Sequence, residues 1–535
     1  MIAGELAAPP AQSKVPAWAA RLSLGFGFAP LAFVFLRFLI IAASAMRSPY
    51  QRDYGEGIVW QQMRLMFAGK GYGPIDGFPA IVFHYPPVYH ATVEALVLGT
   101  RLDALLLGRL VSLIAALTCI VLIGAVASRI GREGGNRSVA MVCGALAGLA
   151  AINLPLVQIW ALVMRVDMLA IALSFAGTWF GIRAITRPGA VYAAAFCFVA
   201  AFFTKQTSIA APAAVFATLL IVRRETALRG IGASLLLGSV ALIVLFAATS
   251  GGIFRHLILY NINRFDPHEL GLIPAMIRSQ FLFFAAVAIG LGQVMHDRLL
   301  SYRVQPSWKD RRDKLAASPG DAALLMVLLY FAAKTLMTLL VAKSGANANY
   351  LMEWMMVGAI FIGLGVSDVA TRAIGDRADA RSSWLSLLVP VALGVPAVAA
   401  VASPWPTAPS SAELQHRREL DQLSAAVRAA RAPIISDDMV MLLRSGKEVL
   451  WEPAIFGELA STGTWDERPF VALIRAERFS FFITEGDSGE AQFDSRYTPA
   501  VAAAMHAAYP RRCHLGGYVI HLPSPPQDEV LKACR

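Results

Sequence analysis

A pair of carboxylates stands in the longest polar segment that separates two apolar stretches of this chain. Within residues 46–101, positions 52–57 read RDYGEG and positions 84–87 read HYPP. A carboxylate such as Asp53 or Glu56 can act as a general base when it lies within hydrogen-bonding reach of a hydroxyl nucleophile. Acids at this spacing are equally typical of the first turn of a helix, where they cap its N-terminus. The local pattern alone favours neither interpretation.

Cationic side chains mark four other junctions between apolar stretches. They are Arg165, Lys205, Arg264 and Lys343, and the polar or aromatic residues Asp167, Asn261 and Tyr350 stand beside them. One such cation at the end of an apolar stretch commonly just extends its charge to water. Four of them at turns on the same side of a membrane favour an anionic ligand, because polar groups at membrane depth are costly and usually functional.

The composition requires a membrane around these residues. The chain of 535 residues is 57% hydrophobic and only 16% charged, and its mean hydropathy is +0.57. A soluble domain usually carries about 25% charged residues. A soluble enzyme, a disordered protein and a nucleic-acid binder are therefore excluded. The net charge of +11 lies among the apolar segments, as basic loops on one side of a bilayer would give.

Apolar stretches predict an α-helical polytopic membrane protein with about eleven spans. Alternate loops are rich in Lys and Arg, so the positive-inside rule places the N-terminus in the cytosol and the four cationic turns outside. We expect no cleavable signal peptide, because the first span is too long and lacks a cleavage site. The expected spans are 22–45, 103–128, 138–158, 167–185, 190–204, 207–222, 231–250, 273–295, 321–342, 350–367 and 383–402.

The chain changes character after residue 402. Residues 1–402 are expected to form the transmembrane domain, and residues 403–535 a soluble extracytoplasmic α/β domain that follows a Pro- and Ser-rich linker. A helix is predicted over 412–430, with strands at 433–436, 448–451, 480–484 and 517–522. Cys513 and Cys534 lie in this domain. A disulfide between them is compatible with an oxidising compartment, but their spacing does not decide it.

Together these residues resemble the GT-C glycosyltransferases, which use polyprenyl-phosphate-linked sugars. The likeness is to the protein-mannosyltransferase and lipid A aminoarabinose-transferase groups, and it covers roughly residues 20–370. It rests on the order and side of several short motifs rather than on any single one, and the acids at 53 and 56 are not adjacent as in some members. The matching positions are 53–56, 85–87, 165–167, 204–206 and 349–350.

The resemblance implies an inverting sugar transfer on the outer face of a membrane, expected to be a bacterial inner membrane, in the making of a cell-envelope glycan. Asp53 would be the general base, assisted by Asp167 or Glu56, and cations would meet the developing phosphate charge. The phosphate-binding candidates are Lys205, Arg165, Arg264 and Lys343, and the substrate-binding candidates are His84, Tyr85, Asn261 and Tyr350.

Partners and cofactors follow from the same resemblance. The partners expected are a polyprenyl-phosphate sugar donor, membrane lipids and a lipid, glycan or protein acceptor, with no nucleic acid. No metal site is expected at His84 and His90, which lack ligand spacing, although Glu56 could bind a divalent cation.

Two other classes of function remain. A transporter or flippase for a lipid-linked sugar would use the same cations, but the acids lie at the interface rather than at mid-membrane. A scaffold would leave the first outer loop unexplained.

Overall fold

The computed structural model of the protein describes residues 16–131, 137–303, 305–374, 383–402 and 410–524. A bundle of helices forms the first part, and two shorter helices lie in the loop after the first helix. The helices of this part are α1 (Ala17–Arg47), α2 (Tyr54–Leu65), α3 (Val88–Thr100), α4 (Ala104–Gly131), α5 (Arg137–Ile152), α6 (Pro155–Trp160), α7 (Asp167–Ala184), α8 (Ala190–Phe202), α9 (Ala210–Val222), α10 (Arg224–Ala248), α11 (Gly252–Leu257), α12 (Leu272–Ser279), α13 (Phe281–Val294), α14 (Leu300–Arg303), α15 (Trp308–Ala317), α16 (Pro319–Met337), α17 (Asn349–Ile374) and α18 (Ser383–Ala402).

All eleven apolar segments predicted from the sequence contain a helix. Within the described ranges, 5 helices are long and apolar enough to cross a membrane, and the pair Pro267–Ser279 and Phe281–Val294, bent by 83°, makes up to 6. Helices α5, α8, α9 and the Leu387–Ala402 part of α18 are apolar but shorter. Large apolar side chains such as Leu236 and Ile243 of α10 are exposed, as lipid contact requires.

The C-terminal part is a small α/β unit. Its elements are α19 (Ser411–Ala429), β1 (Ile435–Ser436), α20 (Met439–Arg444), α21 (Pro453–Ser461), α22 (Arg468–Arg475), β2 (Phe482–Thr484), α23 (Ala491–Asp494), α24 (Pro499–Ala508), β3 (Arg511–Leu515) and β4 (Tyr518–Leu522). The sheet order is β1-β2-β4-β3, with β1 parallel to β2 and the other pairs antiparallel. Gly516 and Gly517, both at positive φ, form the tight turn between β3 and β4.

For this part, one predicted strand is wrong and one observed strand was not predicted. Residues 448–451, expected as a strand, contribute only an isolated bridge from Trp451 to Ala80 in the loop between α1 and α4, because their backbone pairs with that loop and not with the sheet. Strand β3 was not predicted, since its Arg-rich sequence lies at a sheet edge and carries little apolar alternation. Cys513 is disulfide-bonded, and Cys534 lies outside the described residues.

The loop between α1 and α4 shares one hydrophobic core with the C-terminal part. Ile58, Val59 and Phe83 from the loop are buried in the same cluster as Met439 and Ile520. Helices α2 and α20 approach so closely that a Cβ on Gly57 would lie 2.5 Å from the Cβ of Met439. The C-terminal part is therefore fixed on the loop that carries Asp53, and it contributes to the surroundings of that carboxylate.

Candidate active site

Asp53 sits at the N-terminus of α2 and fulfils both roles suggested by its sequence position. Its Oδ2 caps the helix by accepting a hydrogen bond of 2.8 Å from the Gly55 amide. The same oxygen accepts a bond of 3.0 Å from Nη1 of Arg165. A Cβ on Gly55 would lie 1.3 Å from that Nη1, so only glycine leaves room for the guanidinium. The helix end and Arg165 together hold the carboxylate in one orientation.

A second carboxylate, Asp167, begins α7 and organises the neighbouring turns. Its Oδ1 accepts bonds from Lys205 Nζ at 2.6 Å and from Asn349 Nδ2 at 2.8 Å. Its Oδ2 lies 3.9 Å from Arg165 Nε. The Lys205 ammonium also stands 4.4 Å from the centre of the Tyr350 ring, a favourable cation–π geometry. Turns that are far apart in sequence thus converge on Asp167.

The turn at residues 84–87 also belongs to the site. The carbonyl of His84 accepts hydrogen bonds from Gln206 at 3.0 Å and from Asn261 at 3.3 Å. Lys343 Nζ donates to Asn261 Oδ1 at 3.2 Å. Next in the chain, the Tyr85 hydroxyl accepts from Arg165 Nη2 at 3.4 Å. These hydrogen bonds link the turn to Arg165 and Lys343.

The C-terminal part adds Glu452, which sequence reasoning missed. Its carboxylate is buried, and Oε2 lies 3.5 Å from His84 Nε2. Burial raises the pKa of Glu452 to about 7. Burial, helped by Lys343 and Arg165, lowers the pKa of His84 to about 3, so the contact joins a neutral imidazole to a carboxyl that titrates near neutrality. No sequence motif around position 452 indicates that Glu452 lies at the site.

Arg496 connects the same region to the residue next to Asp53. Its guanidinium lies 4.1 Å from the centre of the Tyr54 ring and pairs with Asp437 at 3.0 Å and Glu485 at 2.9 Å. The Tyr54 hydroxyl accepts a hydrogen bond from the Ala454 amide at 3.2 Å. The start of α2 is therefore clamped between the membrane bundle and the C-terminal part.

Glu56 does not share the accessible site that the sequence suggested for it. The side chain is fully buried, and Arg109 grips it with Nε at 2.7 Å from Oε1 and Nη2 at 2.8 Å from Oε2. The amides of Arg52 and Met164 also donate to it. Four donors saturate the carboxylate, which leaves it unsuited to a proton transfer or to a divalent cation. Its geometry fits a structural role that fixes the backbone next to Asp53 and Arg165.

Arg264 also lies apart from the other cations. Its side chain is largely exposed and pairs with Glu458 of α21 at 3.2 Å, while Ser344 donates to the same carboxylate at 3.1 Å. This contact ties the turns at this end of the bundle to the C-terminal part. The structure thus brings together Asp53, Asp167, Arg165, Lys205, Lys343, His84, Tyr85, Asn261 and Tyr350, and separates Glu56 and Arg264 from them.

Several buried polar atoms at this place have no hydrogen-bond partner among the described residues. Buried polar groups in folded proteins are nearly always paired, and a cluster of unpaired ones marks a place where a polar ligand fits. Both donors and acceptors are present, as a sugar or a phosphate requires. The atoms are Arg165 Nε, Asp167 Oδ2, Gln206 Oε1, Asn349 Oδ1, His84 Nδ1 and Glu452 Oε2.

Two cavities near these residues share one lining residue. A polar cavity is lined by Asp167, Lys205, Asn349 and Tyr350 and ends at the buried ion pair between Lys334 and Glu353. An apolar groove runs between α8, α9 and α10, and its lining includes Phe198, Phe202, Phe216, Leu235 and Leu242. Ser208 lines both.

No family model and no curated protein matches the sequence. Among solved structures, the chain is similar to ArnT from Cupriavidus metallidurans bound to undecaprenyl phosphate, with a TM-score of 0.53 and 12% sequence identity over 92% of this chain and 98% of that chain. The apo state of ArnT gives a TM-score of 0.56 and 12% identity over 92% of this chain and 97% of that chain. Identity this low speaks to the fold alone. The chain is thus an integral membrane protein with the fold of these ArnT structures, which confirms the fold expected from its resemblance to GT-C glycosyltransferases.

Proposed function

We propose that the protein is a membrane glycosyltransferase that moves a sugar from a polyprenyl phosphate to a hydroxyl acceptor. The observation that carries the proposal is that Ser208 lines both the apolar groove and the polar cavity of Asp167 and Lys205. A polyprenyl-phosphate sugar has a long apolar chain, an anionic phosphate and a polar sugar in that order. The groove, Lys205 and the unpaired polar atoms beyond it follow the same order. The solved ArnT complex with undecaprenyl phosphate supports this class of donor.

The charges of the site suit this reaction. With the Glu452 carboxyl protonated, as its raised pKa of about 7 allows, Arg165, Lys205 and Lys343 oppose Asp53 and Asp167. This leaves one net positive charge for the single negative charge of a sugar phosphodiester. In the transfer, the acceptor oxygen bonds to the anomeric carbon while the bond from that carbon to the phosphate oxygen breaks. The leaving polyprenyl phosphate gains a second negative charge as the proton of the acceptor neutralises a carboxylate. Positive and negative charges therefore balance before and after the step, as preorganised electrostatic stabilisation requires.

Asp53 and Asp167 have different roles in this proposal. Asp167 is buried and engaged with Lys205 and Asn349, so we assign it the task of positioning the lysine for the phosphate. Asp53 uses only Oδ2 for the amide of Gly55 and for Arg165, which leaves Oδ1 to take the acceptor proton. We therefore assign Asp53 as the general base. A single displacement of this kind inverts the anomeric carbon. These assignments need no metal ion, and the fixed bonds of Glu56 offer none a place.

We further propose that transfer occurs on the extracytoplasmic face of a bacterial inner membrane. The basic loops support this orientation, because they lie on the side opposite the site. The acceptor would then be a lipid, glycan or protein of the cell envelope. A flippase for a lipid-linked sugar would use the same cations but would need no general base, and Asp53 is placed to act as one.

Glycan and lipid analysis of cells with the gene, without it and with an Asp53→Asn allele tests this function. We expect one envelope component to lose a sugar in the deletion strain and in the allele strain alike. The donor lipid should accumulate in both. A component that retains its sugar in the allele strain but loses it in the deletion strain would indicate a flippase or scaffold and contradict the proposal.

A further inference from the structure

Two histidines and one aspartate form a cluster in the C-terminal part, outside the candidate active site. Asp487 lies in the loop after β2, His506 in α24 and His521 in β4. One ligand atom from each of the three side chains lies within 4.8 Å of the other two. The three elements are distant in sequence, so no spacing motif announces the cluster. This set is named the His-His-Asp cluster below.

The two half-buried members, Asp487 and His506, are close enough to bind the same ion. His506 Nε2 lies 3.2 Å from Asp487 Oδ1. Ligand atoms at about 2.0–2.1 Å from a tetrahedral Zn²⁺ ion stand about 3.3 Å from each other. The second oxygen of Asp487, Oδ2, pairs with Arg512 Nη1. Arg512 therefore holds the carboxylate by one oxygen, while the other lies beside His506 and accepts a hydrogen bond of 2.7 Å from the Ser488 amide.

The tautomer of the buried member can be assigned from its neighbours. The Thr484 hydroxyl donates its proton to the Gly486 carbonyl at 2.7 Å. It can then only accept from His521 Nε2 at 2.9 Å, so Nε2 carries the hydrogen. The other nitrogen, Nδ1, retains its lone pair, is buried and has no hydrogen-bond partner within the described residues. Burying such an atom without a partner is costly.

From this geometry we propose that the His-His-Asp cluster binds one divalent transition-metal ion of the Zn²⁺ type. Two imidazoles and one carboxylate are a common Zn²⁺ ligand set, with water in the fourth position. Thr484 and Arg512 supply the outer hydrogen bonds that orient such ligands. The ion would join the loop after β2 to α24 and β4. Gly486 and Gly489, both at positive φ, let this loop turn back towards the helix.

Metal titration of the tag-free, full-length protein in detergent tests the proposal. After removal of metals with a chelator, we expect one equivalent of Zn²⁺ to bind and to remain through dialysis, measured by calorimetry and elemental analysis. Asp487→Asn and His506→Gln should each weaken binding at least tenfold. His416→Gln is the matched control, since His416 is an exposed histidine of α19 and should bind as the parent does.

A spectroscopic measurement separates loss of a ligand from loss of the fold. Co²⁺ in place of Zn²⁺ should give the visible absorption of a tetrahedral site with nitrogen and oxygen ligands in the parent and in His416→Gln. His506→Gln should lose this spectrum while its circular dichroism is unchanged. Equal Zn²⁺ retention by the parent and both cluster variants, or no retention by the parent, would overturn the proposal and leave an Asp487–Arg512 ion pair without a metal role.

Discussion

Purified Asp53→Asn protein is expected to transfer sugar about 10²–10⁴-fold more slowly than the parent protein, which is the usual contribution of a general base. The substitution is well matched to the question, because asparagine caps a helix about as well as aspartate. The bond from Gly55 to the side-chain oxygen therefore persists while the basicity is lost. The rate is measured with a polyprenyl-phosphate sugar under single-turnover conditions, where product release does not contribute.

The control for this prediction is donor binding. Asp53→Asn should bind undecaprenyl phosphate at least as tightly as the parent protein, because the substitution removes a negative charge that faces Arg165 at 3.0 Å. A variant that binds the lipid and transfers at a near-parental rate would refute Asp53 as the base. Asp167, the other carboxylate at the site that the sequence predicted, would then be the candidate.

Lys205→Met is expected to slow transfer about 10²–10³-fold, the usual effect of removing one preorganised group from a site of developing negative charge. Methionine keeps much of the apolar stem and removes the ammonium. Retention of undecaprenyl phosphate should weaken as well, since the donor phosphate already carries a charge before transfer. The measurement combines transfer rates with equilibrium binding of the lipid.

A double variant distinguishes a phosphate contact from simple charge balance. Lys205 pairs with Asp167 at 2.6 Å, so its removal alone leaves a buried, uncompensated carboxylate, which is strongly destabilising. Lys205→Met combined with Asp167→Asn removes both charges and keeps the bond from Asn349 feasible. If the lysine meets the phosphate, the double variant should fold as the parent does and stay slow. Restored transfer would show that Lys205 only neutralises Asp167.

The bundle was predictable because its signal is long and repetitive. A stretch of apolar residues fixes a helix in a membrane regardless of its neighbours, since the backbone must satisfy its own hydrogen bonds there. For this reason the segment at 231–250 is found in α10 without reference to the rest of the fold. The short C-terminal strands carry less information. Residues 448–451 have strand-like composition, yet their partner is Ala80, some 370 positions away.

The site was predictable only in part, for a related reason. Turns that precede or follow apolar helices on one side of a membrane must face the same layer, which is why Arg165, Lys205 and Lys343 could be grouped from sequence. Which of the acids is accessible depends on the residues that each one contacts, and the sequence does not show these contacts. Glu56 is saturated by Arg109, which lies inside an apolar stretch, together with the backbone amides of Arg52 and Met164. Glu452 comes from another domain, and its burial against His84 follows from tertiary packing.

The central claim is that the protein breaks the bond between sugar and polyprenyl phosphate and moves the sugar to an acceptor. Its most direct test is to reconstitute the protein in proteoliposomes with undecaprenyl-phosphate sugars and envelope acceptors, and to quantify both products by mass spectrometry. The account predicts free undecaprenyl phosphate and glycosylated acceptor in equal amounts, with neither product formed at the parental rate by Asp53→Asn. Movement of intact donor across the bilayer without release of undecaprenyl phosphate would contradict it.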